Sequence, residues 1–139
     1  MRSQAEYNTC KAIAIYLRLQ YPNTVFHFDL AGLNLSRAQA GMAKVIQYGK
    51  GWPDLFILAP RLNKNNGVFY NGLFIEVKQD GVKLTAARKT DNYGYPMHAT
   101  PHIADQAEMI DMLNKRGYYA CFACGFDSAK DVIDWYLNL

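Results

Sequence analysis

The chain has no run of about 18 apolar residues, so no segment reads as a transmembrane helix. Cysteine is scarce. Cys10, Cys121 and Cys124 are odd in number and sit in apolar surroundings, which fits a reducing compartment better than a disulfide framework. There is no internal repeat and no low-complexity tract. The opening stretch MRSQAEYNTCKAIAIYL has one early arginine, then polar residues and Glu6, so it does not read as a signal peptide. Charged residues make up only 19 % against 50 % hydrophobic, a balance that excludes a disordered chain. Residues 1–139 are therefore expected to form one domain, large enough to bury a sizeable core.

One further absence is local. Residues 31–51 contain Arg37, Lys44 and Lys50 and no acid at all. From Arg37 to Lys89 nine Lys and Arg face only Asp54, Glu76 and Asp80, a local balance of +6, whereas from His102 onward three basic residues face six acidic ones. The net charge is only +3. A basic middle and an acidic tail suit one surface to a polyanion, although a solvated mixed surface would give the same count.

Hydrophobic spacing predicts the elements. Ser3-Gln4-Ala5-Glu6 has the form of a capping box, and Cys10, Ile13, Ala14 and Leu17 recur at helical spacing, so a first helix is expected over about residues 3–20, ending before Pro22. Residues 24–28 read as a short strand, and Ser36 is placed to cap a helix through Gln47. Residues 54–59 and 72–78 read as two strands joined by the hairpin-type connection RLNKNNGVFYNG. Residues 82–101 read as a long loop, a feature that is usually functional or mobile. A helix from about His102 to Gly117, a strand over 118–124 and a last helix capped by Asp127 or Ser128 complete the order. That order predicts an α/β fold with a central mixed sheet flanked by helices.

The stretch GWPDLFILAP places Asp54 at the mouth of an apolar strand. In LFIEVKQDG, alternation puts Phe74, Glu76 and Lys78 on one face and Leu73, Ile75 and Val77 on the other. An isolated E-x-K is common by chance and often marks only an ion pair at a strand end. Here a second acid changes the balance. An antiparallel hairpin would bring Asp54 and Glu76 to the same side, with Lys78 beside them. Two carboxylates there make a hard-oxygen site suited to Mg²⁺ or Mn²⁺, and a lysine beside them can position a nucleophile.

Pro53-Asp54, 21 intervening residues and Glu76-Val77-Lys78 resemble the PD-(D/E)xK nuclease motif. With GWPDLFI, NGLFIEVK followed by Asp80-Gly81, and Gln106 ahead of the 113–117 helix end, the chain resembles the virus-type replication-repair nuclease domain (VRR-Nuc), in its standalone phage form. The resemblance runs from Glu6 to the last helix and implies a restriction-endonuclease-like core. It implies that Asp54, Glu76, the Val77 carbonyl and Glu6 hold the metal, and that Lys78, Gln106 and Glu6 join Asp54 and Glu76 in catalysis. Glu6 lies in register with Cys10, Ile13 and Leu17, and Gln106 with Ile103, Ile110 and Leu113, so both polar residues share an apolar face. Glu6 has a competing role in the capping box, and Gln106 one as a satisfied core amide.

The function implied is a Mg²⁺- or Mn²⁺-dependent deoxyribonuclease, structure-selective for branched or Holliday-junction-like DNA. A homodimer in the cytoplasm of a bacterial or phage-infected cell is implied with it. Arg37, Lys44, Lys50, Arg88 and Lys89 are candidates for DNA backbone contacts, the last two beside Tyr93 and Tyr95 in the long loop. The alternative is a non-catalytic nucleic-acid-binding module on the same fold. Cys121 and Cys124 have C-x-x-C spacing but no second ligand pair, and His27, His98 and His102 form no metal-ligand spacing.

Overall fold

A computed structural model describes residues 2–30 and 33–139. Ala31 and Gly32, the first two residues of the acid-free segment, and the side chain of Arg88 lie outside the described residues. The elements are α1 (Gln4–Gln20), β1 (Phe26–Phe28), α2 (Arg37–Ile46), β2 (Leu55–Ile57), β3 (Arg61–Asn63) and β4 (Val68–Tyr70). They continue with β5 (Leu73–Lys78), β6 (Thr85–Thr90), β7 (Pro96–His98), α3 (Pro101–Lys115), β8 (Tyr119–Cys124) and α4 (Phe126–Leu137). Among the described residues no helix is long and apolar enough to cross a membrane.

The central sheet has the order β1-β2-β5-β8. β1 and β5 each pair antiparallel with β2, while β8 runs parallel to β5, so the sheet is mixed as the element order predicts. Every residue of β5 is buried, as befits an inner strand covered on both faces. Alternation sorts its side chains. Leu73, Ile75 and Val77 join Ile13 and Leu17 of α1 and Ile133 and Tyr136 of α4 in one core. Phe74 faces the other way and packs with Met109, Ile110 and Leu113 of α3. There Phe74 stacks on Phe56 of β2 with centroids 4.1 Å apart, a cross-strand pair set by their direct register. Glu76 and Lys78 share this α3 side.

Both predicted helix starts in the first half of the chain are capped as expected. The Ser3 hydroxyl accepts from the Glu6 amide at 3.1 Å, and the Ser36 hydroxyl accepts from the Gln39 amide at 3.2 Å, each within a full capping box. α3 is capped by Thr100, whose hydroxyl accepts from the Ile103 amide.

Two expectations are corrected. The last helix begins at Phe126, with Gly125 and neither Asp127 nor Ser128 as its cap. Gly125 has φ 86°, and a Cβ there would meet the Asp80 side chain at 3.2 Å, so a backbone turn against Asp80 replaces the side-chain cap. Residues 82–101 are not a plain loop. They contain the antiparallel hairpin β6–β7, whose register shifts between Thr85 and Thr90. Most of its residues are exposed, so neither face carries the apolar alternation that signals a strand. The connection between β2 and β5 likewise forms a small hairpin of its own, β3–β4.

Candidate active site

The site forms where β2 begins and β5 ends. The register pairs Leu55 with Ile75, which sets Asp54 opposite Glu76 at the same end of the sheet. The Asp54 carbonyl accepts from the Asp29 amide at 2.7 Å, which ties the chain after β1 to this corner. The Asp54 side chain turns toward β5, where its Oδ2 accepts the Val77 N–H at 2.9 Å. Pro53, buried just before it, fixes its own φ at the strand entrance.

Three polar side chains are buried around Glu76. Glu76, Lys78 and Gln106 are 4 %, 7 % and 4 % exposed. Gln106 of α3 donates from Nε2 to Glu76 Oε1 at 2.5 Å, and Lys78 Nζ lies 3.3 Å from the same oxygen. Gln106 Nε2 also lies 3.2 Å from His102 Nε2, one helical turn earlier. The second oxygen of Glu76 and the carbonyl oxygen of Gln106 have no hydrogen-bond partner. A buried polar atom left so costs about 1–3 kcal/mol, which makes these two atoms the natural contacts of a polar ligand.

Electrostatics single out Glu76 again. Burial pushes its pKa up from 4.5 to about 8, the negative charge of Asp54 adds to the rise, and Lys78 and Arg2 act against it. A buried carboxylate whose charge is opposed by a second acid beside it marks a place where a cation is favoured.

The approach of α3 depends on the segment before β2. Gly51 has φ 81°, and a Cβ on it would stand 2.5 Å from the Asp105 carbonyl oxygen. Only glycine lets that backbone lie against the turn of α3 that carries Gln106. The resulting cleft has a volume of about 420 Å³, and Lys44 of α2 and Lys50 line it together with Trp52. Lys50 pairs with Asp105 at 3.2 Å while remaining largely exposed.

The structure therefore brings Asp54, Glu76, Val77, Lys78 and Gln106 to one corner. Glu6 is half-buried on the wall of the same cleft, but its Oε2 accepts the Ser3 N–H at 3.2 Å in the capping box. Lys44 and Lys50 face the cleft, whereas Arg37 is exposed at the start of α2 outside its lining, and Lys89 is exposed on β6.

Two residues of the corner were not among the candidate site residues read from the sequence. Arg2 forms an ion pair with Asp54 Oδ1 and donates to the Asp29 carbonyl at 3.3 Å, and its side chain is only 7 % exposed. Burial opposes the charge on Arg2, but its neighbours, Asp54 foremost, together outweigh it and the pKa rises. No sequence pattern reports a contact across 52 residues. His102 did carry a signal, its four-residue spacing from Gln106 on one helix face.

Among the described residues no three His, Cys, Asp or Glu side chains gather as a metal-binding group. The donors at hand are the Asp54 and Glu76 carboxylates and main-chain oxygen. That all-oxygen set fits a hard divalent cation that keeps several of its waters, and the unpartnered Glu76 oxygen is a ready ligand atom. The three cysteines are free, and burial pushes the Cys10 and Cys121 thiols up to about 12.

No family model and no curated protein matches the chain. Among solved structures, it is similar to a VRR_NUC domain protein at 26 % identity, with a TM-score of 0.64 over 100 % of this chain and 93 % of that chain. The fold thus shares the VRR-Nuc resemblance that the motifs carry, a mixed α/β core of the PD-(D/E)xK kind.

Proposed function

We propose that the chain is a divalent-metal-dependent DNA nuclease that hydrolyses phosphodiester bonds, structure-selective for branched or Holliday-junction-like DNA. The observation that carries this reading is the convergence of Asp54, Glu76 and Lys78 at one end of the sheet, with the second, buried oxygen of Glu76 left without a partner. A lapsed site has no chemical need for a buried acid held against a buried lysine. The full-length likeness to a VRR_NUC domain protein supports the nuclease reading.

Mg²⁺ or Mn²⁺ would be held by Asp54 and Glu76, with the Val77 carbonyl and, through water, Glu6, and would supply a water of lowered pKa and neutralise phosphate charge. In an extended strand the N–H and C=O of one residue point to the same side, so the Val77 carbonyl shares the edge on which its N–H meets Asp54. Lys78 positions the attacking water and offsets negative charge as it develops on the phosphate. Gln106 fixes the Glu76 carboxylate through its 2.5 Å hydrogen bond. Lys44 and Lys50, on the cleft wall, draw in the DNA backbone, and Arg37 and Lys89, exposed outside that lining, are further candidates for backbone contacts.

The enzyme works as a homodimer in the cytoplasm of a bacterial or phage-infected cell. The dimer is supported by Met42, Val45 and Ile46 of α2, which stand 70 %, 85 % and 84 % exposed at helical spacing, an apolar strip that a second copy would cover. Sedimentation of the wild type against Ile46→Glu tests it, and an unchanged monomer in both removes the dimer.

The assay for the activity is incubation with branched, flapped, duplex and single-stranded DNA in Mn²⁺, Mg²⁺ or EDTA. The wild type should cut branched DNA with either ion and not in EDTA, and Lys78→Ala should bind as well but cut far more slowly. If the wild type binds every substrate and cuts none, the chain is a nucleic-acid-binding module instead.

A further inference from the structure

Arg2 occupies a position that the chemistry of the corner does not otherwise explain. Its guanidinium holds Asp54 Oδ1 and the Asp29 carbonyl, and almost the whole side chain is shielded from water. Asp54 then has both oxygens engaged, Oδ1 by Arg2 and Oδ2 by the Val77 amide. The two partners differ in how easily they let go. Val77 N–H belongs to the backbone of a fully buried central strand and cannot leave without breaking the end of β5. Arg2 precedes the Ser3 cap of α1, so its long side chain can swing out of the cleft while the helix stays capped.

Charge makes the same distinction. With both acids ionised, as metal binding requires, Asp54, Glu76, Lys78 and Arg2 carry two negative and two positive charges, so the corner is then neutral with Arg2 seated. A divalent ion added beside a seated Arg2 would leave four positive charges against two negative ones in a largely buried space, an arrangement that burial penalises heavily. The ion and the guanidinium therefore compete for one carboxylate.

We propose that Arg2 is the internal counter-ion of the site: it presets the Asp54 carboxylate and yields Oδ1 to the divalent ion. The inference rests on the metal-site reading above and adds to it. Arg2 is thus a positioning residue whose departure is coupled to ion binding.

Calorimetric titration with Mn²⁺ tests this on wild type, Arg2→Met and Arg2→Lys, with thermal melts of each in EDTA and in Mn²⁺. Arg2→Met keeps most of the stem and removes the charge. It should bind Mn²⁺ about tenfold more tightly, the scale of one charge-assisted hydrogen bond. In EDTA it should melt below the wild type, and Mn²⁺ should raise its melting temperature by more. Arg2→Lys keeps a charge but lacks the planar fork, so its Mn²⁺ affinity should fall between the two. It also provides the answer should Arg2→Met not fold, because affinity tighter than wild type supports the competition. Equal or weaker Mn²⁺ binding in the variants, with the wild type binding normally, overturns the role of Arg2 and leaves the metal site standing. No Mn²⁺ binding in any of the three proteins overturns the metal site and this inference together.

Discussion

The Val77 amide donates to Asp54 Oδ2 at 2.9 Å, which locks the acid just before β2 to the residue that follows Glu76. The sheet itself thereby sets the distance between the two carboxylates, without help from a loop. Asp54→Asn keeps an oxygen for the Val77 amide and removes the charge. It should fold cooperatively and give no Mn²⁺ binding heat. Asp54→Ala also strands the amide and should lose a further 1–3 kcal/mol or so in urea unfolding. Equal stability of the two variants would show that the Val77 bond is not holding the corner.

Glu76 makes stability depend on pH. Its pKa is about 8 in the fold against 4.5 unperturbed, so the folded state holds the proton more firmly than the unfolded chain. The stability this proton confers is complete below about pH 4.5 and is lost as pH rises through about 8. In EDTA the wild-type melting temperature should fall across that window. Glu76→Gln, neutral throughout, should flatten the fall and melt above wild type at pH 9. Parallel curves for the two proteins would place the titration elsewhere.

Lys78 lies 3.3 Å from Glu76 and is buried with it. If it stabilises charge as it develops during hydrolysis, Lys78→Ala should reduce kcat by about 10² to 10³. DNA affinity measured in Ca²⁺ should change little. A rise in KM with kcat intact would make Lys78 a substrate-binding residue only.

The basic wall of the cleft predicts a graded salt response. Lys44→Ala and Lys50→Ala should each lower the slope of log affinity against log salt by about 1. Arg37, outside the cleft lining, should have a smaller effect. Equal slopes in all three variants would mean that DNA does not enter along this wall.

Much of the corner was legible in the sequence, for physical reasons that are local. Strand alternation placed Glu76 and Lys78 on one face, and a hairpin-type connection implied that Asp54 would meet them. Helical register carried Gln106 inward. The capping box told where α1 begins, yet it could not say whether Glu6 serves the cap or the cleft, since both uses share one spacing. Its carboxylate is in the cap. Arg2 was invisible because its partners Asp29 and Asp54 are tertiary neighbours. The β6–β7 hairpin escaped because a ribbon exposed on both faces leaves no apolar period. The start of α4 was displaced because a glycine turn, rather than an Asp or Ser side chain, makes its entry.

All of these expectations turn on where a divalent ion sits. Crystals soaked in Mn²⁺ and measured at an energy where manganese scatters anomalously give that position directly. An anomalous peak about 2.0–2.2 Å from a carboxylate oxygen of Asp54 and one of Glu76, with the Arg2 guanidinium swung away, is the predicted result. A corner without such a peak, Arg2 still paired with Asp54 at saturating Mn²⁺, would contradict the account.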